Sequence, residues 1–251
     1  MDADRPATPL ERESLRKLVS RALRHEPVQY LVGEAWFFSL PFHVDHRVLI
    51  PRPSSETIVE HVLQQIRAEP TLAPGGSMTI ADVGTGSGSL AVALAKNLPG
   101  ARVVATDISS EALEVAHDNA CRHHVEDRIE CASGDLLQPV IDQPGAVPVD
   151  ILVANPPYIP DHEWAEVPAN VKDYEPEEAL RGGYDGLKVI QPLLDRVHAA
   201  VRPGGLILIE IASSTVDAVL ELARSNPKLS GPRIEDDFEG LPRVLVAHRG
   251  E

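Results

Sequence analysis

The amino-acid sequence predicts an α/β fold in which helices cover both faces of a mainly parallel, twisted sheet. From Thr79 onward, short apolar runs alternate with amphipathic helical stretches, and this alternation is typical of parallel sheets with crossover helices. The runs are rich in aliphatic residues, as expected of strands that are buried on both faces. The length of 251 residues fits one sizeable domain, or one domain with a small appendage.

The alternating region contains four predicted strands and four predicted helices. The strands are TIADV, RVVATD, DILVAN and GLILIEI, at residues 79–83, 102–107, 150–155 and 205–211. The helices are expected near residues 89–97, 110–124, 186–201 and 214–225. RIEDDF and RVLVAHR, at residues 233–238 and 243–249, predict a final pair of strands.

The N-terminal part of the chain predicts a different architecture. The spacing of its apolar residues indicates a helix over 10–24, a β-hairpin over 28–50 and a second helix over 54–69. Proline and glycine between residues 70 and 76 predict a linker. We therefore expect two parts: a segment over residues 1–74 with a helix, a hairpin and a linker helix, and a sheet domain over residues 75–251.

Composition and charge exclude several classes of protein. The chain has 38 acidic and 23 basic residues, for a net charge of −15, which argues against nucleic acid as a partner. Cys121 and Cys131 form no CxxC pair and have no ligand-spaced His, so we expect neither a disulfide framework nor a structural zinc site. No apolar run approaches the ~18 residues of a membrane span. The N-terminus lacks the apolar core of a secretory signal, so we expect a cytoplasmic protein.

The segment from Asp82 to Gly88, DVGTGSG, directly follows a predicted strand and precedes a predicted helix. Its three glycines let the backbone turn tightly and approach a ligand, and the helix offers free N–H groups at its start. Asp107 ends the next strand, where a carboxylate can accept hydrogen bonds from a ribose diol. The glycine-rich segment and Asp107 together predict a nucleoside-containing cofactor. They leave both NAD and S-adenosyl-L-methionine open, although Ser89 replaces the third glycine of the dinucleotide-binding pattern.

A second motif, Asn155-Pro156-Pro157-Tyr158, follows the strand DILVA, on the same sheet edge as the glycine loop. Proline lacks an N–H and restricts the residue before it, so this turn is stiff and directs carbonyl oxygens and the Asn amide to one point. The alternative is a simple chain turn, which by itself would explain two adjacent prolines after a strand. Beside a nucleoside pocket, the motif predicts a site for a planar nitrogen.

The chemistry of a planar nitrogen explains these residue types. Its lone pair is delocalised, as the ~18–20 kcal/mol rotation barrier of an amide shows, so it is a poor nucleophile. Hydrogen bonds from its two N–H atoms to the Asn155 side-chain oxygen and the Pro156 carbonyl favour pyramidalisation, while the Tyr158 ring excludes water. Orientation against a sulfonium methyl supplies much of the rate, since effective molarities reach ~10⁵ M or more. The motif therefore favours S-adenosyl-L-methionine over NAD.

GTGSG, Asp107 and NPPY together resemble the class I S-adenosylmethionine-dependent methyltransferases, whose fold is Rossmann-like. Three further segments, at residues 26–56, 174–187 and 237–249, narrow the resemblance to the protein-(glutamine-N5) methyltransferases of the HemK/PrmC type. These enzymes act on the GGQ glutamine of peptide chain release factors. The resemblance therefore implies methyl transfer to a protein glutamine, with S-adenosyl-L-homocysteine (SAH) as the second product and no metal.

The resemblance also implies residue roles. The cofactor-binding candidates are Asp82, Gly84, Thr85, Gly86, Ser87, Gly88, Asp107, Ile108, Asp135, Leu136 and Asn155. The catalytic candidates are Asn155, Pro156 and Tyr158. The substrate-binding candidates are Asn155, Pro156, Pro157, Tyr158, Arg52 and Glu56. A solvent-exposed ion pair is the alternative for Arg52 and Glu56.

The sequence departs from the family pattern in three respects: the length of the N-terminal region, two short motifs and residue 136. About 25 residues precede the hairpin where the family has a bundle of several helices, so we expect a shortened N-terminal domain and altered docking. The family's Glu-x-Gly and Thr-Glu are Glu210-Ile211-Ala212 and Ser55-Glu56 here, and Leu136 replaces an aromatic residue of some relatives. Three alternatives stay open: a ribosomal protein as the glutamine substrate, N6-adenine methylation of nucleic acid, and a non-catalytic S-adenosylmethionine-binding factor.

Overall fold

The computed structural model describes residues 6–72, 76–142 and 147–251. Its N-terminal part consists of α1 (Pro9–Ala22), α2 (Val28–Val32), β1 (Glu34–Phe37), β2 (Leu40–His43) and α3 (Glu56–Ala68). A capping box starts α1: the Thr8 hydroxyl accepts the Glu11 N–H at 3.3 Å, and the Glu11 carboxylate accepts the Thr8 N–H at 2.7 Å. The predicted first helix and hairpin are therefore both present.

The hairpin is shorter than predicted because residues 28–32 are helical. Pro27 is the N-cap of α2, and Gly33, with a φ of 71°, ends it in the left-handed region. The two residues confine VQYLV to a single helical turn, and so short a helix has no periodicity that distinguishes it from a strand. Strands β1 and β2 then pair antiparallel across a tight turn at Phe38 and Ser39.

Within the described residues, the main sheet has seven strands in the order β10-β11-β9-β6-β3-β4-β5. The strands after the hairpin are β3 (Met78–Val83), β4 (Ala101–Asp107), β5 (Ile129–Ser133), β6 (Val149–Ala154), β7 (Ile159–Pro160), β8 (Arg181–Gly183), β9 (Val201–Glu210), β10 (Leu229–Asp236) and β11 (Pro242–Arg249). Strands β3, β4, β5, β6 and β9 run parallel, and β11 is antiparallel to both of its neighbours. The predicted α/β class with a mainly parallel sheet is confirmed.

Strands β5 and β9 of the main sheet differ from the sequence prediction. Strand β5 was not predicted, because it is an edge strand in which Ile129 alone is buried. Strand β9 begins at Val201, four residues before the predicted start, and continues directly from the preceding helix. Pro203, Gly204 and Gly205 are turn signals that lie inside β9 and not at that junction, so the sequence pattern places the start of the strand too late.

Helices cover both faces of the sheet. They are α4 (Ser89–Asn97), α5 (Ser110–Arg122), α6 (Gln138–Ile141), α7 (Ala169–Lys172), α8 (Ile190–Ala200) and α9 (Val216–Ser225). On one face, α3, α4 and α5 pack with Ile80 and Ile151. On the other face, α6, α8 and α9 pack with Ala81 and Leu152. Consecutive strand residues thus enter opposite cores, which explains why the sheet strands are apolar throughout.

The hairpin and α3 pack into the same core as the sheet. Phe37 and Phe42 are buried there, and the Asn119 amide of α5 bonds both the N–H and the C=O of His43, at 2.7 and 2.9 Å. The predicted boundary between residues 74 and 75 stays a prediction. Of the predicted linker, Pro70–Leu72 forms a 3-10 turn, and residues 73–75 lie outside the described residues.

The strand order reverses between β3 and β6, at the centre of the sheet. Strands β4 and β5 lie on one side of β3, whereas β6 and β9 lie on the other. Crossover helices therefore leave in opposite directions, and a crevice opens at the carboxyl ends of the two strands. The glycine loop follows β3 and NPPY follows β6, so the topology brings both sequence motifs to this crevice. Within the described residues, no helix is both long and apolar enough to cross a membrane.

Candidate active site

A cavity of about 490 Å³ lies at the carboxyl ends of β3 and β6. Its wall combines the glycine loop, the end of β4, residues 134–136 and the Asn155-Pro156-Pro157 turn. Val83, Leu90 and Leu136 make much of this wall apolar, and Asp107 adds a carboxylate. An apolar cavity with a few converging polar groups is the usual form of a small-molecule site.

The glycine loop faces this cavity. Gly84 and Gly86 have φ of 72° and 55°, and a Cβ built on either would meet no heavy atom of the described chain within 4 Å. The loop therefore forms an open cradle for a ligand, together with Thr85 and Ser87. Gly88 has a different place: it caps α4 with a φ of 77°, and its Cβ would lie 3.1 Å from Ala116 of α5. Gly88 therefore allows α4 and α5 to pack closely.

Asp82 is fully buried, and the described cavity wall does not include it. Its Oδ2 accepts the Thr85 hydroxyl at 2.6 Å and the Ala91 N–H at 3.1 Å, so the carboxylate ties the loop to the first turn of α4. Among the described residues, Oδ1 has no hydrogen-bonding partner. Burial raises the pKa of the Asp82 carboxyl to about 7. These contacts give Asp82 a supporting position; its predicted role as a cofactor ligand stays a prediction.

Asp107 lines the cavity at the end of β4. Its Oδ2 accepts the Gly86 N–H at 2.9 Å, and its Oδ1 accepts the Ser109 N–H at 2.9 Å. Burial raises the pKa of this carboxyl above its ordinary value, although both backbone N–H groups oppose the rise. The carboxylate is therefore fixed at the mouth of the glycine loop, with lone pairs left for the hydroxyls of a ligand.

Ile108, Asp135 and Leu136 form another part of the wall. Ile108 is 73% exposed, which leaves its side chain available to a ligand. The backbone of Leu136 is left-handed, with a φ of 50°, and its carbonyl accepts the Thr106 hydroxyl at 3.1 Å. Backbone in this region costs free energy for a non-glycine residue. Leu136 lines the cavity, and its contact with the adenine stays a prediction.

A second cavity, of about 220 Å³, adjoins NPPY. The residues that line it are Leu49, Arg52, Asn155, Tyr158, Ile159, Val167, Pro168, Val171, Ala179 and Leu180. Asn155 and Arg52 also line the first cavity. Asn155 thus belongs to the wall that the two cavities share, whereas Pro156 and Pro157 line the first cavity.

Tyr158 is held on both its side chain and its backbone. The hydroxyl donates to Glu210 Oε1 at 3.1 Å, and burial, followed by the charge of Glu210, raises the pKa of the phenol well above its usual range. Gly186 has a φ of 79°, and a Cβ there would lie 2.6 Å from the Tyr158 carbonyl. The segment 174–187 therefore supports NPPY by close backbone packing, and β7 pairs with β8 beside it.

Arg52 and Glu56 occupy different environments. Arg52 Nη2 donates to Glu175 Oε1 at 2.6 Å, and Glu175 Oε2 also accepts the Ile50 N–H at 3.0 Å. The side chain of Glu175 is 1% exposed, so this is no solvent-exposed ion pair. Glu56 accepts the Phe38 N–H at 2.7 Å and lies outside both described cavity walls. Arg52 thus shapes the site, and Glu56 contacts the hairpin turn.

Sequence reasoning missed the groups that hold Asn155. The Asn155 Nδ2 donates to Ser55 Oγ at 3.0 Å, and the Ser55 hydroxyl donates to Glu210 Oε2 at 2.5 Å. Glu210 is fully buried at the end of β9. In the sequence, Glu210 closes the apolar run LILIE and stands where the family has Glu-x-Gly, but neither feature connects it with Asn155. Glu175 lies in the segment 174–187 that carries the family resemblance, but nothing in that segment pairs it with Arg52.

The residues present fit S-adenosyl-L-methionine. The open cradle at Gly84 and Gly86 leaves room for a ligand at the start of α4, where free N–H groups favour a carboxylate. The Asp107 carboxylate suits a ribose diol, and Leu136 offers an apolar surface for adenine. Within the described residues, no cluster of three or more His, Cys, Asp or Glu side chains is arranged to hold a metal ion.

Sheet order and site together define a class I methyltransferase. A family model described as methyltransferase small domain matches residues 57–171, and one described as PrmC N-terminal domain matches residues 1–33. Among solved structures, an O-methyltransferase from Bacillus cereus in complex with SAH superposes with a TM-score of 0.53, at 18% identity over 99% of this chain and 94% of that chain. This likeness shows the fold.

Curated relatives are more specific. The release factor glutamine methyltransferase of Chlorobaculum tepidum is 39% identical over 98% of this chain and 82% of its own length. That of Moorella thermoacetica is 43% identical over 93% of this chain and 78% of its own length. The chain belongs to the release factor glutamine methyltransferase family. The resemblance to HemK/PrmC-type enzymes is thereby confirmed, and so is the prediction of an enzyme.

Proposed function

We propose that the protein transfers a methyl group from S-adenosyl-L-methionine to the side-chain amide nitrogen of the GGQ glutamine of a peptide chain release factor, with SAH as the second product. One observation carries this proposal: Asn155 belongs to the wall shared by the two cavities. A methyl donor in the larger cavity and a substrate side chain in the smaller one would both reach this residue. The names of the relatives support the choice of substrate.

The larger cavity is proposed to bind the cofactor, which supplies an electrophilic methyl group when bound. The loop from Gly84 to Ser87 would hold the methionine end, and Asp107 would accept hydrogen bonds from the ribose. Ile108, Asp135 and Leu136 would enclose the adenine. Asp82 and Gly88 would act through the shape of the loop, because their contacts are with Thr85, Ala91 and Ala116.

The smaller cavity is proposed to receive the glutamine side chain. The Asn155 side-chain oxygen and the Pro156 carbonyl would accept its two amide protons. A stiff Pro-Pro turn fixes these acceptors before the substrate binds, so orientation costs little at the moment of reaction. Tyr158 and Pro157 would exclude water beside the reacting nitrogen. The methylated, protonated amide is strongly acidic, so its proton can pass to solvent and no strong base is required.

The net charge of the chain agrees with a protein substrate. We infer that the enzyme acts in the cytoplasm, where release factors work. The net charge of −15 supports a protein partner over nucleic acid, since phosphate backbones bind basic surfaces. Arg52, held by buried Glu175 beside the smaller cavity, is the proposed substrate-side cation.

The test offers the enzyme several substrates. Purified enzyme is incubated with S-adenosyl-L-methionine and either a release factor, a ribosomal protein extract or a DNA duplex, and the products are mapped by mass spectrometry. We expect one added methyl group on the glutamine of the GGQ peptide. A methyl group on a ribosomal protein or on adenine, with none on GGQ, would contradict the proposal. Cofactor binding without any product would favour the non-catalytic alternative.

A further inference from the structure

A buried carboxylate at the end of β9 accepts hydrogen bonds from three hydroxyl groups, which belong to two other segments of the chain. Glu210 Oε2 accepts the Ser55 hydroxyl at 2.5 Å, and Oε1 accepts the hydroxyls of Tyr158 at 3.1 Å and Ser54 at 3.4 Å. The first of these distances is typical of a hydrogen bond to an ionised oxygen. Glu210 itself lies outside the walls of both described cavities, so it acts on ligands only through its neighbours.

The Ser55 hydroxyl connects this carboxylate with Asn155, because it donates one hydrogen bond and accepts another. A serine hydroxyl has one hydrogen, and here it is donated to Glu210. The Ser55 oxygen is thus left as an acceptor, and it accepts from Asn155 Nδ2 at 3.0 Å. This bond fixes the orientation of the planar Asn155 amide. Its nitrogen faces Ser55, and its oxygen therefore remains available to accept a hydrogen bond from a ligand.

The orientation matters because the amide group of a glutamine substrate brings two donors. An Asn155 side chain rotated by half a turn would present its own N–H groups to those donors, and the hydrogen bond would be lost. An ionised carboxylate is an acceptor only, so it cannot support the rotated arrangement. Burial raises the pKa of the Glu210 carboxyl, while the hydroxyls of Ser55 and Tyr158 and the charge of Arg243 oppose the rise.

We propose that Glu210, acting through the Ser55 hydroxyl, is a positioning residue that holds the Asn155 side-chain oxygen towards the substrate amide. This inference rests on the proposed function and adds two residues to it. The same carboxylate also anchors the Tyr158 hydroxyl, so one buried group sets the geometry of both ends of NPPY.

The test compares Ser55→Ala with Ser55→Thr. Ser55→Ala removes the acceptor for Asn155, and we expect kcat for methylation of a release factor to fall roughly 10-fold to 100-fold, as for a lost hydrogen bond of a buried polar group. The Kd of S-adenosyl-L-methionine, measured by calorimetry, should change by less than about 2-fold. Ser55→Thr keeps the hydroxyl and should retain wild-type kcat within about 3-fold.

Two serine variants serve as references. Ser54 contacts the same carboxylate at a longer distance, so Ser54→Ala should reduce kcat much less than Ser55→Ala. Ser213→Ala removes a hydroxyl that donates to the Pro242 carbonyl at 2.8 Å and should leave kcat unchanged.

Glu210→Gln, where it folds, should reduce kcat at least as much as Ser55→Ala, because its amide N–H₂ reverses the polarity of one hydrogen bond.

The outcomes separate the inference from the proposed function. A wild-type enzyme that leaves the GGQ glutamine unmodified overturns the proposed function, and the inference with it. An active wild type with Ser55→Ala as active as Ser213→Ala overturns the inference alone. Equal losses in Ser55→Ala and Ser55→Thr, or a parallel loss of cofactor affinity, would indicate packing rather than orientation and would also overturn it.

Discussion

The site has two halves that are assembled in different ways. The cofactor half contains the glycine loop and Asp107, and the substrate half contains Asn155, Arg52 and the side chains that hold them. In the cofactor half, the side-chain hydrogen bonds of Asp82 and Asp107 join residues 2 to 21 positions apart. In the substrate half, the bonds of Ser55 to Asn155 and to Glu210 span 100 and 155 positions, and that of Arg52 to Glu175 spans 123. Local turns thus build the cofactor half, whereas the substrate half depends on the completed fold.

This difference predicts different consequences of mutation. Changes in the cofactor half should affect cofactor affinity and the stability of one loop. Changes in the substrate half should affect turnover or the KM of the protein substrate, while cofactor affinity stays the same. The following variants test whether the halves can be separated in this way.

Asn155→Ala should have the largest effect. The variant loses the acceptor for the substrate amide, and we expect turnover to fall roughly 10²-fold to 10³-fold, the cost of one preorganised polar contact. Asn155 also lines the cofactor cavity, but the glycine loop and Asp107 carry most of the proposed polar contacts with the cofactor, so calorimetry should give a nearly unchanged Kd for S-adenosyl-L-methionine. Turnover and cofactor affinity that fall in parallel would place Asn155 in the cofactor half instead.

Asp107→Ala should have the opposite signature. Loss of charge-assisted hydrogen bonds to the ribose should weaken cofactor binding by about 1.5–3 kcal/mol, with kcat at saturating cofactor largely retained. Asp82→Asn should weaken cofactor binding less than Asp107→Ala, because Asp82 lies outside the cavity wall and acts only through the shape of the loop. Equal affinity of the Asp107 variant and the wild type would remove Asp107 from the site.

Glu175→Gln should affect the protein substrate alone. The glutamine keeps an oxygen for the Ile50 N–H but removes the charge that holds Arg52, and we expect the KM for the release factor to rise about 5-fold, as for a modest hydrogen-bond loss of ~1 kcal/mol. Arg181→Gln breaks the exposed pairs with Asp161 and Glu177 and should change KM by less than about 2-fold. A similar change of KM in the Glu175→Gln and Arg181→Gln variants would show that Arg52 needs no buried partner.

Asp82→Asn should change stability rather than turnover. The Asp82 carboxyl has a pKa of about 7 in the folded protein and about 4 when unfolded, so between these values the folded state binds more protons. Its contribution to the free energy of unfolding is therefore largest below pH 4 and falls as the pH rises to 7, by at most about 1.4 kcal/mol per pH unit. Denaturation by urea across this range should show a decline in the wild type that Asp82→Asn lacks. Identical pH profiles would contradict the raised pKa.

The same comparison explains how far the sequence predicts the molecule. The glycine loop, Asp107 and NPPY could be located because each follows a strand, and parallel strands bring their carboxyl ends to one edge. Ser55 and Glu210 could not be paired from the sequence, because their contact depends on the docking of α3 against the sheet. Helix α2 was missed for a simpler reason: five residues between Pro27 and Gly33 are too few for helical periodicity.

The central claim is that the substrate half orients a glutamine amide beside the cofactor half. It is tested most directly by a single turnover of enzyme saturated with S-adenosyl-L-methionine and mixed with a release factor, followed by mass spectrometry of the GGQ peptide. The account predicts one methyl group on the glutamine side chain with the wild type, and at least about 100-fold slower formation with Asn155→Ala. A methyl group at another position, or equal rates for the two enzymes, would contradict it.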